Sequence, residues 1–177
     1  MNTMKRSPVP TELRPERVYV TYDRREQRRL NLSPLPMVPA TLQTADYGLL
    51  HMPNEAAVEW KYENDLISTL TSDRERWEKE VVRLLGYPCR AVVTSWTWDR
   101  IEAGDWQGDA KPNAIFGSLV GIVESGVPLI MAGSRERAER VISRLLYCAA
   151  RRAYRDCRSM VLCALDDSEI PQQEAAL

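Results

Sequence analysis

A single histidine, His51, serves the whole chain of 177 residues, and that scarcity excludes much. A Ser-His-Asp triad, a His-rich zinc site and a two-histidine metalloprotease helix each need more imidazoles or cooperating neighbours. His51 itself stands where a strand enters the turn Met52-Pro-Asn-Glu55, and it reads as a solvated loop residue. Cysteine is sparse too. Cys89, Cys148, Cys157 and Cys163 form no C-x-x-C pair and no finger spacing, which predicts reduced, mostly buried small side chains in a cytoplasmic protein. No long apolar run exists: the stretch 117–133 is broken by Glu124, Ser125 and Pro128 and is too interrupted to cross a bilayer. The first eight residues are basic with nothing apolar behind them, so they do not read as a signal peptide. Lysine is rare as well. Of 24 basic residues only Lys5, Lys61, Lys79 and Lys111 are lysines. The arginine excess suits phosphate binding or reflects codon bias, and it makes a lysine at a special position worth noting.

What is present describes one ordinary domain. The chain is 44% hydrophobic and 28% charged with a formal net charge of -1, values that call for a packed core. Any nucleic-acid contact must then come from a local basic patch. Residues 1–16, rich in proline and charge, predict a flexible arm. Alternating β-branched and aromatic residues predict strands over 17–23, 41–50 and 56–61, with a proline-rich loop at 33–39. Three-four spacing predicts a short helix over 64–70, then one carrying Trp77, Val81, Leu84 and Leu85 and ended by Gly86. An apolar central strand is expected over 90–96, a turn-rich loop over 98–111 and a helix over 112–125. A strand over 127–132 and a long helix over 134–158 complete the pattern. The order predicts an α/β fold, a mixed central sheet with helices on both faces. The tail, 161–177, reads as polar.

The chemistry concentrates in Asp46 and in Glu59-Trp-Lys-Tyr-Glu-Asn-Asp65. Strand alternation puts Glu59 and Lys61 on one face and Val58 and Trp60 on the other, while a hairpin brings Asp46 beside Glu59. Two converging carboxylates repel unless a hard cation such as Mg²⁺ or Mn²⁺ joins them through oxygen. A lysine beside that cation, its pKa lowered by positive charge and desolvation, orients or deprotonates a water that attacks a phosphodiester. Taken alone, the three residues also fit a surface hairpin carrying an ion pair.

The string as a whole resembles the nuclease domain of the XPF/Hef-type structure-specific endonucleases, of the PD-(D/E)XK superfamily. Their signature, Gly-Asp, a gap, then Glu-Arg-Lys-x-x-x-Asp, is matched by Ala45-Asp46 and Glu59-Trp60-Lys61-x-x-x-Asp65. Their first strand ends Val-Asp-x-Arg-Glu, against Tyr22-Asp23-Arg24-Arg25-Glu26 here. Asp65-Leu-Ile-Ser-Thr-Leu70 followed by Arg74 continues the likeness, which spans about 17–155. It departs from the pattern in alanine for glycine at 45 and tryptophan for arginine at 60, and the tandem helix-hairpin-helix domain of many relatives has no room here.

The resemblance implies a restriction-endonuclease-like core over 17–160. It implies Asp46, Glu59 and Asp23 as ligands of Mg²⁺ or Mn²⁺, and Lys61 as the water-positioning base. Arg25 would touch the scissile phosphate or steady the acids. Asp65 would support the ligands or simply cap its helix. Arg24, Arg28, Arg29 and Arg74 would contact DNA. Arg137, Arg140, Arg144, Arg151, Arg155 and Arg158 share one stripe of the last helix, read chiefly as a solvated amphipathic face and otherwise as a nucleic-acid surface or an interface. Trp96, Trp98 and Trp106 read as core or loop anchors before base-stacking platforms. The implied activity is hydrolysis of branched or flapped DNA to leave a 5′-phosphate in repair or recombination. The implied assembly is a homodimer, in a cytoplasm that is the host's if a phage encodes the chain, with a phage or host protein as a further partner. A catalytically silent binding member and a sequence-specific restriction-type nuclease are the alternatives.

Overall fold

The computed structural model describes residues 9–165. Residues 1–8 of the expected arm (1–16) and 166–177 of the expected tail (161–177) lie outside the described residues. Six strands make up one sheet: β1 (Val20–Asp23), β2 (Met37–Ala40), β3 (Tyr47–Leu49), β4 (Ala56–Lys61), β5 (Cys89–Thr94) and β6 (Leu129–Met131). Their order is β2-β1-β3-β4-β5-β6. The β1–β3 and β3–β4 pairs are antiparallel and the other three are parallel, so the sheet is mixed. Five helices complete the fold: α1 (Glu63–Leu70), α2 (Arg74–Leu84), α3 (Trp98–Ala103), α4 (Pro112–Glu124) and α5 (Arg135–Leu165).

Alternation along the strands decides which helix covers which face. Val20, Tyr47, Leu49, Val58, Trp60 and Val93 form one apolar face, and α5 lies on it through Ala138, Ile142, Leu146, Ala149 and Ala150. Ala57 and Val92 point the other way, into a second core built by Leu66, Ile67 and Leu70 of α1, Trp77 and Leu84 of α2 and Ile115 and Leu119 of α4. Each fully buried valine, leucine or isoleucine among them contributes about 1.5–3 kcal/mol, so the two cores hold the layers together without any disulfide. Helices on both faces of a mixed sheet are the architecture that the sequence predicts.

Several boundaries differ from expectation. Strand β2 overlaps the stretch read as a loop; it runs parallel to β1 on the sheet edge, where Pro39, which has no N–H to donate, is tolerated. The strand expected over 41–50 shortens to three residues, and 41–46 instead forms a loop. The region 98–111 contains α3, capped by the Thr97 hydroxyl accepting from Arg100 N–H and stopped by Gly104 at φ +69°. The cysteines are free, but their expected burial fails: Cys148, on the outer face of α5, and Cys157 and Cys163, beyond its last buried residue Ala153, are exposed, and Cys89 is partly so. Leu85 is also exposed rather than buried. The described part of the expected arm runs along α5, where Tyr147 Oη donates to Leu13 O and Tyr154 Oη to Pro10 O. Among the described residues no helix is long and apolar enough to cross a membrane.

Candidate active site

Three strands meet at the acids. Tyr47 pairs with both Tyr22 and Val58, so Asp46, the residue before it, comes opposite Asp23 on one side and beside Glu59 on the other. Asp23 N–H donates to Asp46 O, continuing the β1 ladder, whereas Asp46 N–H donates to Val58 O, where the regular pairing with β4 ends. Directly opposed residues in such ladders have Cβ atoms about 4.5–5.5 Å apart, so like charges there repel. Asp46 also interrupts the ladder. Its Oδ2 accepts the Trp60 N–H at 2.8 Å, which pins the carboxylate against β4 beside Glu59.

The pinning depends on the residue before it. Ala45 holds φ +60°, the left-handed region that glycine favours, where the resembled family carries glycine. Its N–H donates to Glu80 Oε1 on α2 at 2.8 Å, and the other Glu80 oxygen pairs with Arg83. Glu80 is therefore a site residue that the sequence pattern does not nominate.

Electrostatics divide the acids into two kinds. Asp23 is saturated: Oδ1 accepts Arg25 N–H and Nε–H, and Oδ2 accepts Arg25 Nη2–H and Leu42 N–H. The Arg25 guanidinium holds the Asp23 carboxyl down at about 2. Arg25 also donates to Leu42 O, so it steadies the acid and the 41–46 loop, the second of its two expected roles. Asp46 is pushed well above the usual carboxylate range, first by burial and then by the Glu59 charge. Burial raises Glu59 too, against the pull of Lys61. Lys61 Nζ lies 2.8 Å from Glu59 Oε1 and 5.4 Å from the Trp77 ring centre. Burial works against its charge, as expected, but the Glu59 carboxylate, helped by Asp46, outweighs burial and raises its pKa; the expected lowering belonged to a lysine beside a cation.

These groups line a cleft of about 610 Å³ between the strand ends, the 41–46 loop, α1 and α2. Seven acids (Asp23, Glu26, Asp46, Glu59, Asp65, Asp73, Glu80) and four bases (Arg25, Lys61, Arg76, Arg83) face it, an excess of negative charge that a cation would offset. Asp65, exposed on the first turn of α1, is not its cap, which is Tyr62; an acid there suits the helix dipole. Among the described residues no three His, Cys, Asp or Glu side chains converge as a metal-holding group. Of the three expected ligands, Asp23 has both oxygens engaged by Arg25 and Leu42. Asp46 and Glu59 remain, two hard-oxygen donors destabilised by their own proximity. That fits an ion that keeps several waters, as Mg²⁺ does.

The expected DNA-contacting arginines do not gather in the cleft. Arg28 lies over the Tyr62 ring and Arg29 over the Tyr22 ring, donating to its hydroxyl. Arg24 is exposed beyond β1. Arg74 pairs with Glu78 and lines a separate groove between α2 and α4. Trp60 is buried at 3% exposure among apolar residues, as strand alternation requires, with its Nε1–H unpartnered. Trp96 is core, and its Nε1–H donates to Glu63 O. Glu26, Asp73, Glu80, Arg76 and Arg83 join the cleft only through tertiary packing. Their sequence signals are the place of Glu26 at the end of the resembled Asp-x-Arg-Glu string and the i, i+4, i+7 face of Arg76, Glu80 and Arg83 on α2.

No family model matches the chain, and no curated protein sequence does. Solved structures do. XPF from Aeropyrum pernix aligns with a TM-score of 0.60 at 18% identity, over 75% of this chain and 62% of that one. XPF from Aeropyrum pernix in complex with DNA aligns with a TM-score of 0.56 at 18% identity, over 76% and 66%. The chain spans less than two thirds of either protein's chain. With the order of the strands, these likenesses show that the chain has the fold seen in XPF from Aeropyrum pernix.

Proposed function

We propose that the chain is a metal-dependent DNA endonuclease acting on branched or flapped DNA. The observation that carries this reading is the Asp46–Glu59 pair, a half-buried and a buried carboxylate side by side with Lys61 against the second. Asp46 and Glu59 would hold Mg²⁺ or Mn²⁺. Such an ion, when bound, acidifies water and neutralises charge on a phosphodiester oxygen.

The chain's own groups do the rest. Trp60 N–H fixes the Asp46 carboxylate, and Glu80 fixes the peptide that delivers it. Lys61, held protonated by Glu59, donates a hydrogen bond to the attacking water or to the phosphate, and the Trp77 ring limits where its ammonium can point. Asp23 and Arg25 act as a clamp on the loop that closes one wall of the cleft. A homodimer is supported by α4, where Phe116, Val120 and Val123 stay exposed along one face.

Labelled flap, fork and linear duplex DNA, incubated with Mg²⁺ or Mn²⁺, test the proposal. Cleavage of flap or fork that Glu59→Gln abolishes with binding intact supports it. Binding without metal-dependent cutting points to the silent alternative, and cutting of linear duplex at fixed sites points to a restriction-type enzyme.

A further inference from the structure

The outer face of α5 carries charge that the fold does not use. Eight arginines stand on this helix (135, 137, 140, 144, 151, 152, 155 and 158) against three acids, Glu136, Glu139 and Asp156. Arg135 pairs with Glu139, Arg152 with Glu55, and Arg158 donates to Pro10 O. Arg137, Arg140, Arg144, Arg151 and Arg155 are exposed, and among the described residues their side chains have no ion pair or hydrogen bond. At about 100° per residue these five fall within about 60° of one another, opposite the buried Ala138, Ile142, Leu146 and Ala149. No acid of the helix falls inside the stripe. At about 1.5 Å per residue it is about 27 Å long.

Folding alone gives no reason for this arrangement. Arg140 with Arg144 and Arg151 with Arg155 are like-charge i, i+4 pairs, each costing about 0.2–0.5 kcal/mol. The net charge of the whole chain is only -1, and the cleft is acidic. Positive charge has thus been concentrated on the layer opposite the acids, since α5 covers the Val58 and Trp60 face while the cleft opens on the Glu59 and Lys61 face.

We propose that the arginine face of α5 is a second nucleic-acid surface, which grips the phosphate backbone of a duplex segment other than the one in the cleft. Duplex DNA carries about one charge per 1.7 Å of axis, so a 27 Å line of guanidinium forks meets phosphates along its whole length. Tyr147 and Tyr154 flank the stripe but are turned to the 10–13 segment, so no ring is free for stacking single-stranded bases. Contacts of this kind position a duplex without reading its sequence. Only the identity of the polyanion rests on the nuclease reading. With both surfaces, a branched substrate would be held by one arm while another enters the cleft.

Fluorescence anisotropy with a labelled 20-base-pair duplex, in EDTA and over a range of salt concentrations, tests this without any cleavage. Arg140→Ala/Arg144→Ala/Arg151→Ala should raise Kd at least about tenfold and flatten the log Kd against log salt slope by about 3, near 0.9 per lost contact. Thermal unfolding should match the parent, since all three side chains are exposed. Lys79→Ala/Lys111→Ala, on other elements, should change Kd by less than about threefold. An unchanged Kd and slope in the triple variant, or an equal loss in the lysine variant, overturns the proposal. So does competition by polyglutamate as effective as that by unlabelled duplex, which would mark an acidic protein as the partner. A parent protein that binds through α5 and never cuts DNA would sink the nuclease reading and leave this surface standing.

Discussion

Glu80 Oε1 accepts the backbone N–H of Ala45, and Ala45 occupies the left-handed backbone region from which Asp46 is aimed at Glu59. A helix residue thus supports a strained turn at the site where the resembled family carries glycine. Strain of this type costs roughly 1–2 kcal/mol in a non-glycine residue. Ala45→Gly should therefore raise the melting temperature by about 2–4 °C per kcal/mol recovered. Glu80→Ala should lower it, with Glu80→Gln lowering it less because the amide oxygen still accepts. In the Ala45→Gly background the Glu80→Ala loss should shrink, a non-additivity that thermal unfolding of the four proteins would reveal. Strict additivity would separate Glu80 from the turn.

The opposed acids make a stability cost that a divalent ion should relieve. Asp46 and Glu59 both titrate above their unfolded values, so their unfavourable contribution is absent at low pH and grows as pH rises through the folded pKa. At pH 7 in EDTA, Asp46→Asn should stabilise the fold by about 1–2 kcal/mol, because its amide oxygen still accepts from Trp60 while the repulsion with Glu59 is gone. The same substitution should remove any rise in melting temperature that millimolar Mn²⁺ gives the parent. Differential scanning calorimetry at pH 5 and pH 7 reads both effects.

Asp23 behaves in the opposite sense. Its folded pKa, about 2, lies below the ordinary carboxyl value of 3.8, so its contribution is complete well above pH 4 and is lost as pH falls toward 2. Much of the pair is open to solvent on the Arg25 side, which limits the effect to on the order of 1 kcal/mol. Asp23→Asn should be less stable than the parent at pH 6, with the gap closing near pH 2. Acid unfolding followed by circular dichroism checks the convergence.

The sheet and its acid row were legible because strand alternation is strict. Val58 against Glu59 and Trp60 against Lys61 sort themselves by face, and β4 falls where the pattern puts it. The family string supplied Asp46 and Asp23. What stayed hidden was tertiary. Nothing local shows that Arg25 and Leu42 occupy both oxygens of Asp23, nor that α2 swings Glu80 over Ala45. The edge strand at 37–40 was masked by its prolines. The helix at 98–103 was masked by glycines and acids, although Thr97 and Gly104 were a usable cap and stop.

Position 60 separates family pattern from local physics. The resembled motif has arginine there, yet here the side chain packs among Val58, Val93 and α5. Trp60→Arg would bury a guanidinium with no acid to meet it, and should destabilise the fold by at least about 3 kcal/mol despite restoring the motif. Trp60→Phe, which removes the unpartnered Nε1–H, should cost far less. Urea unfolding of the two variants distinguishes these outcomes.

Calorimetric titration of Mn²⁺ into the metal-free protein at pH 7 bears most directly on the neighbouring carboxylates of Asp46, just before β3, and Glu59 of β4. Saturable binding in the parent, weakened at least about tenfold by Asp46→Asn and by Glu59→Gln but not by Asp23→Asn, is the expected result. Binding that is absent in the parent, or that survives in both Asp46→Asn and Glu59→Gln, would contradict the account.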